Sequence, residues 1–211
     1  MLKKAAITEI FTRFEAQNET PQTELSAPNE FCLLIAIVLS AQATDVSVNK
    51  ATKDLFAVAN TPRAILELGE DGIKQHIKTI GLFNSKAKNI IKLCEALLAD
   101  YGGVIPQDRD ELQKLAGVGR KTANVWLNCV YGAPLVAVDT HVFRTSNRLG
   151  LCKADNVLDC ELQLHKRIPK QFLRYAHHHL ILHGRYICKA RTPECGNCDV
   201  TDLCEFYKKQ K

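Results

Sequence analysis

The sequence predicts an all-α fold, and three observations carry that prediction. Apolar residues recur three and four positions apart in one segment after another. Capping residues and glycines punctuate those segments. The one strand-like stretch, LVAV before Asp139, has no second strand to pair with.

In chain order, MLKKAAITEIFTRFEAQN reads as an amphipathic helix with Ile7, Ile10, Phe11 and Phe14 on one face. Pro28 stands near the start of the apolar helix FCLLIAIVLSA, where a missing N–H costs little. Thr44 and Asp45 are capping residues for a helix carrying Val48, Ala51 and Leu55. Thr61-Pro62 is a start signal and Gly69 a stop; Ile73, Ile77 and Ile80 mark a short helix ending at Gly81. Asn84 is expected to cap a longer helix with Ile90, Ile91, Cys94, Leu97 and Leu98, closing at Gly102-Gly103. Asp108 or Asp110 opens a helix through Leu112 and Leu115, and another runs from about Arg120 to Val130. Asp139 starts a helix through Val142, Phe143 and Leu149; Pro169 separates two more, and Gly184 is expected to end the last.

With 211 residues, 46% of them hydrophobic and 24% charged, the chain has the make-up of a globular protein with a substantial core. Lys+Arg 28 against Asp+Glu 23 gives a net charge of only +5, but the charge is unevenly placed. Lys74 to Lys92 holds five lysines and no carboxylate, and Gln163 to Thr192 holds seven Lys/Arg and five His, again with no Asp or Glu. Such stretches suit a polyanion-facing surface or, equally, solvated helix faces. His177, His178 and His179 are adjacent in a helix, so they point in different directions and do not chelate one ion. The most apolar run, FCLLIAIVL, is too short for the ~20 residues that span a bilayer, so no membrane partner is expected.

Nine cysteines, an odd number in a chain this large with no signal peptide at its start, argue against a secreted disulfide scaffold. The expected location is the reducing cytoplasm, in association with the nucleoid. Four cysteines cluster at the end: Cys188, Cys195, Cys198 and Cys204 follow C-x6-C-x2-C-x5-C, a density of thiolates that calls for a metal. Only Cys195 and Cys198 form a CxxC; zinc and an iron–sulfur centre both accept four cysteines. Cys32, Cys94, Cys129, Cys152 and Cys160 lack ligand spacing and are expected to be buried thiols.

LQKLAGVGRKTANVW carries a second signal. Gly117 and Gly119 flank Val118 between two amphipathic helices, leaving backbone N–H groups where a phosphate could approach. Arg120 and Lys121 follow at once. This is a helix-hairpin-helix, a sequence-independent grip on one DNA strand. Lys121 lies in the first turn of the second helix, where a cation opposes the helix dipole. Phosphate contact would account for that placement; so would an amine whose pKa is lowered by the helix end and burial to give a neutral nucleophile. Asp139, in PLVAVDTHVFR, is placed as an N-cap, and capped N–H groups would hold it as a carboxylate.

LAGVGRKTA, VDTHVFR and the C-x6-C-x2-C-x5-C array, together with LSAQATD, IGLFNSKAKNI and HLILHGRYIC, resemble the helix-hairpin-helix DNA glycosylases over most of the chain. The bifunctional members, which remove damaged pyrimidines and cleave the abasic site, are the most similar. The resemblance implies a two-lobed fold: a six-helix barrel over residues 23–133, and a lobe from 1–22 and 134–211 bearing a [4Fe–4S] cluster, with the DNA cleft between them. It implies that Lys121 is the nucleophile, Asp139 the catalytic aspartate, and the four clustered cysteines the cluster ligands. Duplex DNA with damaged pyrimidines or abasic sites is the implied partner, and a monomer is expected. Gln42 and Leu82 match residues that fill or wedge the gap left by a flipped base; Asp45 and His141 match positions lining the substrate site. The cluster loop would present Lys189 and Arg191 to phosphates, beside Gly117, Val118, Gly119 and Arg120 at the hairpin. Two departures stand out: His179 where a tryptophan is usual, and Cys32 where a carboxylate is common. A non-catalytic DNA clamp and a zinc-stapled adaptor are the competing readings; the first needs the glycines but not both Lys121 and Asp139.

Overall fold

The computed structural model describes residues 1–210. It divides into two compact units, Thr23–Val130 and Met1–Gln22 with Tyr131–Lys211. The later boundary thus falls at 130, where the sequence placed it at 133.

In the unit Thr23–Val130, α2 (Glu30–Leu39) is apolar on all sides and buried almost throughout. Its N-terminus is capped by Asn29, which accepts from the Cys32 N–H, rather than arranged by Pro28. Around it lie α3 (Asp45–Val58), α4 (Pro62–Ile77), α5 (Phe83–Tyr101), α6 (Arg109–Leu112) and α7 (Arg120–Tyr131). Thr44 caps α3 and Asp108 caps α6, both through side-chain oxygens bonded to N–H groups of the first turn. Gly69 interrupts α4 with φ 72° and ψ 168°, so two helical segments meet there. Trp126 is wholly buried and donates its indole N–H to the Glu30 carbonyl at 3.0 Å, pinning α7 to the start of α2.

Three expectations fail in this unit. The helix expected to run to Gly81 ends at Ile77, with Ile80 in the turn that follows, its N–H bonded to the Ile77 carbonyl at 2.8 Å. Asn84 does not cap α5; the residue before the helix is Leu82, itself left-handed, with no side-chain cap. Leu115 lies outside α6 and is reached through tight turns, its N–H bonded to the Leu112 carbonyl at 3.1 Å.

The other unit is built on α1 (Lys4–Gln17), α8 (Thr140–Leu149), α9 (Val157–Arg167), α10 (Leu173–Tyr186) and the short α11 (Glu205–Lys208). Ile7, Ile10, Phe11 and Phe14 of α1 are buried against Val142 and Leu149 of α8 and Leu180 of α10 in one core. LVAV forms no strand; Val136 instead donates its N–H to His165 Nε2 at 3.2 Å. Among the described residues there is no strand and no helix long and apolar enough to cross a membrane.

Gly184 does not end α10 but sits inside it, where the helix meets α8 at close range. A Cβ at Gly184 would stand 2.8 Å from Thr145 Oγ1 and 3.1 Å from the His141 carbonyl oxygen. Gly184→Ala is therefore expected to push α10 from α8 at a cost of about 1–3 kcal/mol. Thermal melting checks this, with a fall of roughly 2–4 °C per kcal/mol for a chain of this size.

His177, His178 and His179 are all buried and face different partners. His177 Nδ1 lies 2.7 Å from the Ala137 carbonyl and His179 Nε2 lies 2.8 Å from that of Asn18. Burial pushes His178 down to about 4 and lowers His179.

Candidate functional site

The site residues fall in both units. In the unit Thr23–Val130, α6 and α7 are joined by the turn Gln113–Gly119. Gly117 takes φ 81°, and a Cβ there would meet Val38 Cγ1 at 3.1 Å and Asn89 Cβ at 3.3 Å. Conformation and space both demand glycine. Gly119 differs from the expectation: its φ is not positive, and the space a Cβ would occupy is open. What Gly119 leaves is an unshielded stretch of backbone at the entrance to α7. The Val118 side chain is buried and its N–H is bonded to the Leu115 carbonyl at 3.1 Å, so its place in the turn is to anchor it.

Arg120 and Lys121 occupy the first turn of α7, both half-buried. Two turns further on, burial pushes the Cys129 thiol up to about 11, and the charge of Lys121 works against that rise.

Among the described residues, Gln42 and Leu82 are the non-glycine residues with positive φ, at 55° and 60°. Gln42 lies on the exposed turn between α2 and α3; Leu82 precedes α5 and is 61% exposed. A left-handed leucine costs ~1–2 kcal/mol, and an exposed leucine returns little of it by burial. Strain of this kind gathers at functional positions. Asp45 is the first residue of α3, half-buried, behind its Thr44 cap.

The lysine-rich run is less available than its charge suggests. Lys74 is paired with Glu70 at 2.6 Å and Asp71 at 3.1 Å, and Lys86 is buried, with burial lowering its pKa.

In the second unit, Asp139 caps α8, its Oδ1 accepting from the Val142 N–H at 2.8 Å. His141 lies in the first turn of the same helix, half-buried, with Nδ1 3.4 Å from the Arg144 guanidinium. Cys188, Cys195, Cys198 and Cys204 line one small cavity of about 20 Å³ with His183 and Phe206 among its other walls. All nine cysteines are free thiols. Burial pushes Cys198 up to about 11 and raises Cys204, and in both the charges of neighbouring cysteines add to the rise. Four sulfurs that sense one another's charge form a donor set suited to a cationic centre. Among the described residues, no three His, Cys, Asp or Glu side chains are gathered closely enough for a single metal ion. Four cysteine sulfurs lining one space are the donor set of an iron–sulfur centre and equally of a tetrahedral zinc.

Residues that sequence reasoning missed hold this cysteine loop. Arg144 donates from Nε to the Cys188 carbonyl at 3.1 Å and from a terminal nitrogen to the Gly184 carbonyl at 2.7 Å. Arg148 donates to the Lys189 and Ala190 carbonyls at 2.7 and 2.8 Å and stacks 4.7 Å over the Phe206 ring. The two arginines are one turn apart on α8, so a single helix face clasps the first ligand and its neighbours. In the loop itself Lys189 is ion-paired with Glu194, which partly neutralises it, whereas Arg191 is exposed.

Comparison with known proteins adds a consistent set of similarities. Residues 35–170 match the model of the HhH-GPD superfamily base excision DNA repair protein. The chain is 57% identical to endonuclease III of Rickettsia conorii over 95% of its length and 96% of the relative's. It is 56% identical to endonuclease III of Escherichia coli K12 over 99% of each chain. Among solved structures, a trapped endonuclease III–DNA covalent intermediate, an estranged-adenine complex, superposes with a TM-score of 0.93. That match is at 47% identity and covers 100% of this chain and 99% of that one.

Proposed function

The chain belongs to the HhH-GPD superfamily of base excision DNA repair proteins, and from that premise we propose how its own residues remove oxidised or ring-saturated pyrimidines from duplex DNA. It is a DNA glycosylase and abasic-site lyase. The observation that carries the assignment of roles is the amine of Lys121, set in the first turn of α7 directly behind the Gly117–Gly119 turn.

The backbone at Gly117 and Gly119, with Arg120 beside it, grips a strand through its phosphates without reading sequence. Arg191 adds charge from the cysteine loop. The damaged nucleotide leaves the stack, at least cost when its ring is no longer aromatic, and Gln42 and Leu82 occupy the gap. Asp45 and His141 match positions that line the substrate site in the family. The Lys121 amine attacks C1′ as the C1′–N bond breaks and the base departs. Asp139 stabilises positive charge developing on the sugar and assists proton transfer. The C1′–O4′ bond of the resulting glycosylamine then breaks, O4′ taking a proton, to give a Schiff base that acidifies the C2′ protons; loss of one expels the 3′ phosphate by β-elimination. The enzyme acts as a monomer on DNA at the nucleoid.

Cys188, Cys195, Cys198 and Cys204 would hold a [4Fe–4S] cluster. Its contribution when bound is structural, tying the loop that bears Lys189 and Arg191. Arg144 and Arg148 orient the first ligand by fixing its carbonyl and those that follow.

Borohydride reduction on a duplex with one abasic site tests the lyase reading. A stable protein–DNA adduct is expected. A protein that binds this duplex but leaves no adduct on it, or on an oxidised pyrimidine, is a clamp and not a lyase. Leu82→Gly gives a separate check on the wedge: Tm is expected to stay within ~2 °C of the parent or to rise, because the strain is relieved. Base release in a single-turnover assay should slow by about ten-fold, equivalent to ~1.4 kcal/mol of lost transition-state stabilisation.

A further inference from the structure

Cys152 and Cys160 take no part in the chemistry above, yet their sulfurs lie 3.2 Å apart. Both are buried, at 2% and 0% exposure. Cys152 stands in the turn behind α8, its N–H directed at the Ser146 carbonyl at 3.4 Å; Cys160 lies in the first turns of α9. The backbone between them is held from both sides. Gln163 accepts from the Lys153 N–H at 3.0 Å and donates to its carbonyl at 2.9 Å. Asn147 accepts from the Ala154 N–H at 3.0 Å. The approach of the sulfurs is thus set by anchored backbone.

A shared metal does not explain the pair. Two sulfurs each ~2.3 Å from a tetrahedral zinc keep roughly 3.8 Å between them, more than is found. The separation exceeds an S–S bond by about 1.2 Å, within reach of small side-chain rotations. The hydrogen bond from Cys160, aided by the charge of Arg167, lowers the pKa of Cys152 against the effect of burial. That favours the thiolate, the reactive form.

We propose that Cys152 and Cys160 are a reversible oxidative modification site, a dithiol that hydrogen peroxide converts to a disulfide joining the end of α8 to the start of α9. The Cys152 thiolate attacks a peroxide oxygen; an S–O bond forms, the O–O bond breaks, and hydroxide leaves and is protonated to water. Cys160 sulfur then displaces the hydroxyl of the sulfenic acid, so that S–S forms, S–O breaks, and a second water departs with the Cys160 proton. One peroxide is reduced to two waters while two thiols lose two electrons. The nearby second thiol intercepts the sulfenic acid before it oxidises further.

The test treats the cluster-loaded protein with peroxide at low molar ratio, alkylates remaining thiols under denaturing conditions, and maps the tryptic peptides by mass spectrometry. Cleavage after Lys153 leaves Cys152 and Cys160 on separate peptides. The expected result is a linked pair lighter by two hydrogens, parted by dithiothreitol, and a Tm raised by roughly 5 °C on closing so short a loop. Cys152→Ser and Cys160→Ser each abolish the linked pair and the gain in Tm. Recovery of both cysteines alkylated, at a dose that oxidises a free thiol such as glutathione in the same tube, overturns the proposal. So does a linkage of either to one of the four clustered cysteines in place of the other. The mapping on the unaltered chain decides even where a serine variant fails to fold.

Discussion

Lys121→Ala is expected to abolish the borohydride-trapped adduct and to slow cleavage at an abasic site by about 10³-fold or more, the scale on which a removed nucleophile is felt. Stability should not fall with it. Alanine is the best helix former, and removing a cation from the first turn of α7 relieves an unfavourable encounter with the helix dipole. Tm is expected within ~2 °C of the parent. Lys121→Arg separates the two chemical readings of this position. Arginine keeps the charge for a phosphate contact but does not deprotonate to a nucleophile, so DNA affinity should survive while the adduct does not form. Strand cleavage retained by Lys121→Arg would make the residue a phosphate contact and remove it from the reaction.

Asp139 calls for a comparison of two substitutions, because its carboxylate has a structural duty. Oδ1 accepts from the Val142 N–H and caps α8. Asparagine caps a helix as well as aspartate does, so Asp139→Asn should melt with the parent while base release falls by about 10²–10⁴-fold through loss of the charge. Asp139→Ala should lose the same activity and, in addition, ~1 kcal/mol of stability with the cap. Single-turnover base release and thermal melting, measured on both variants, distinguish the roles. Unimpaired release by Asp139→Asn would reduce Asp139 to a helix cap.

Features written in local spacing were legible from the sequence. The buried face of α1 is the face its periodicity names, and Thr44, Asp108 and Asp139 cap where a short polar residue precedes an apolar run. The four clustered cysteines declare themselves by density alone. Features that depend on distant partners were not legible. Nothing in NRLG or FRTS announces that Arg144 and Arg148 will reach carbonyls some forty residues away. Gly184 looked like a helix stop because a glycine near a helix end usually is one; here it makes room for the backbone of α8. Leu82 misled differently: its left-handed conformation runs against leucine's own preference, so Asn84, the better capping residue by type, drew the boundary two positions late. The lysine run holds no carboxylate only because the count begins at Lys74, just past Glu70 and Asp71, which pair with Lys74 across one helical turn. His179 and Cys32, the two departures from the family pattern, are both buried, His179 bonded to Asn18 and Cys32 beside its Asn29 cap.

The burial of His177, His178 and His179 has a consequence at the bench. Written out, HHHLILH looks like an affinity handle, and an immobilised-nickel column would be an obvious first step in isolating the untagged chain. Each of the three imidazoles is at most 6% exposed, so resin-bound nickel cannot reach them in the folded protein. Only molecules that have lost α10 present the cluster to the resin. Retention through this cluster is therefore a fractionation by integrity: the folded protein keeps it out of reach, and what binds by it is the denatured fraction of the preparation.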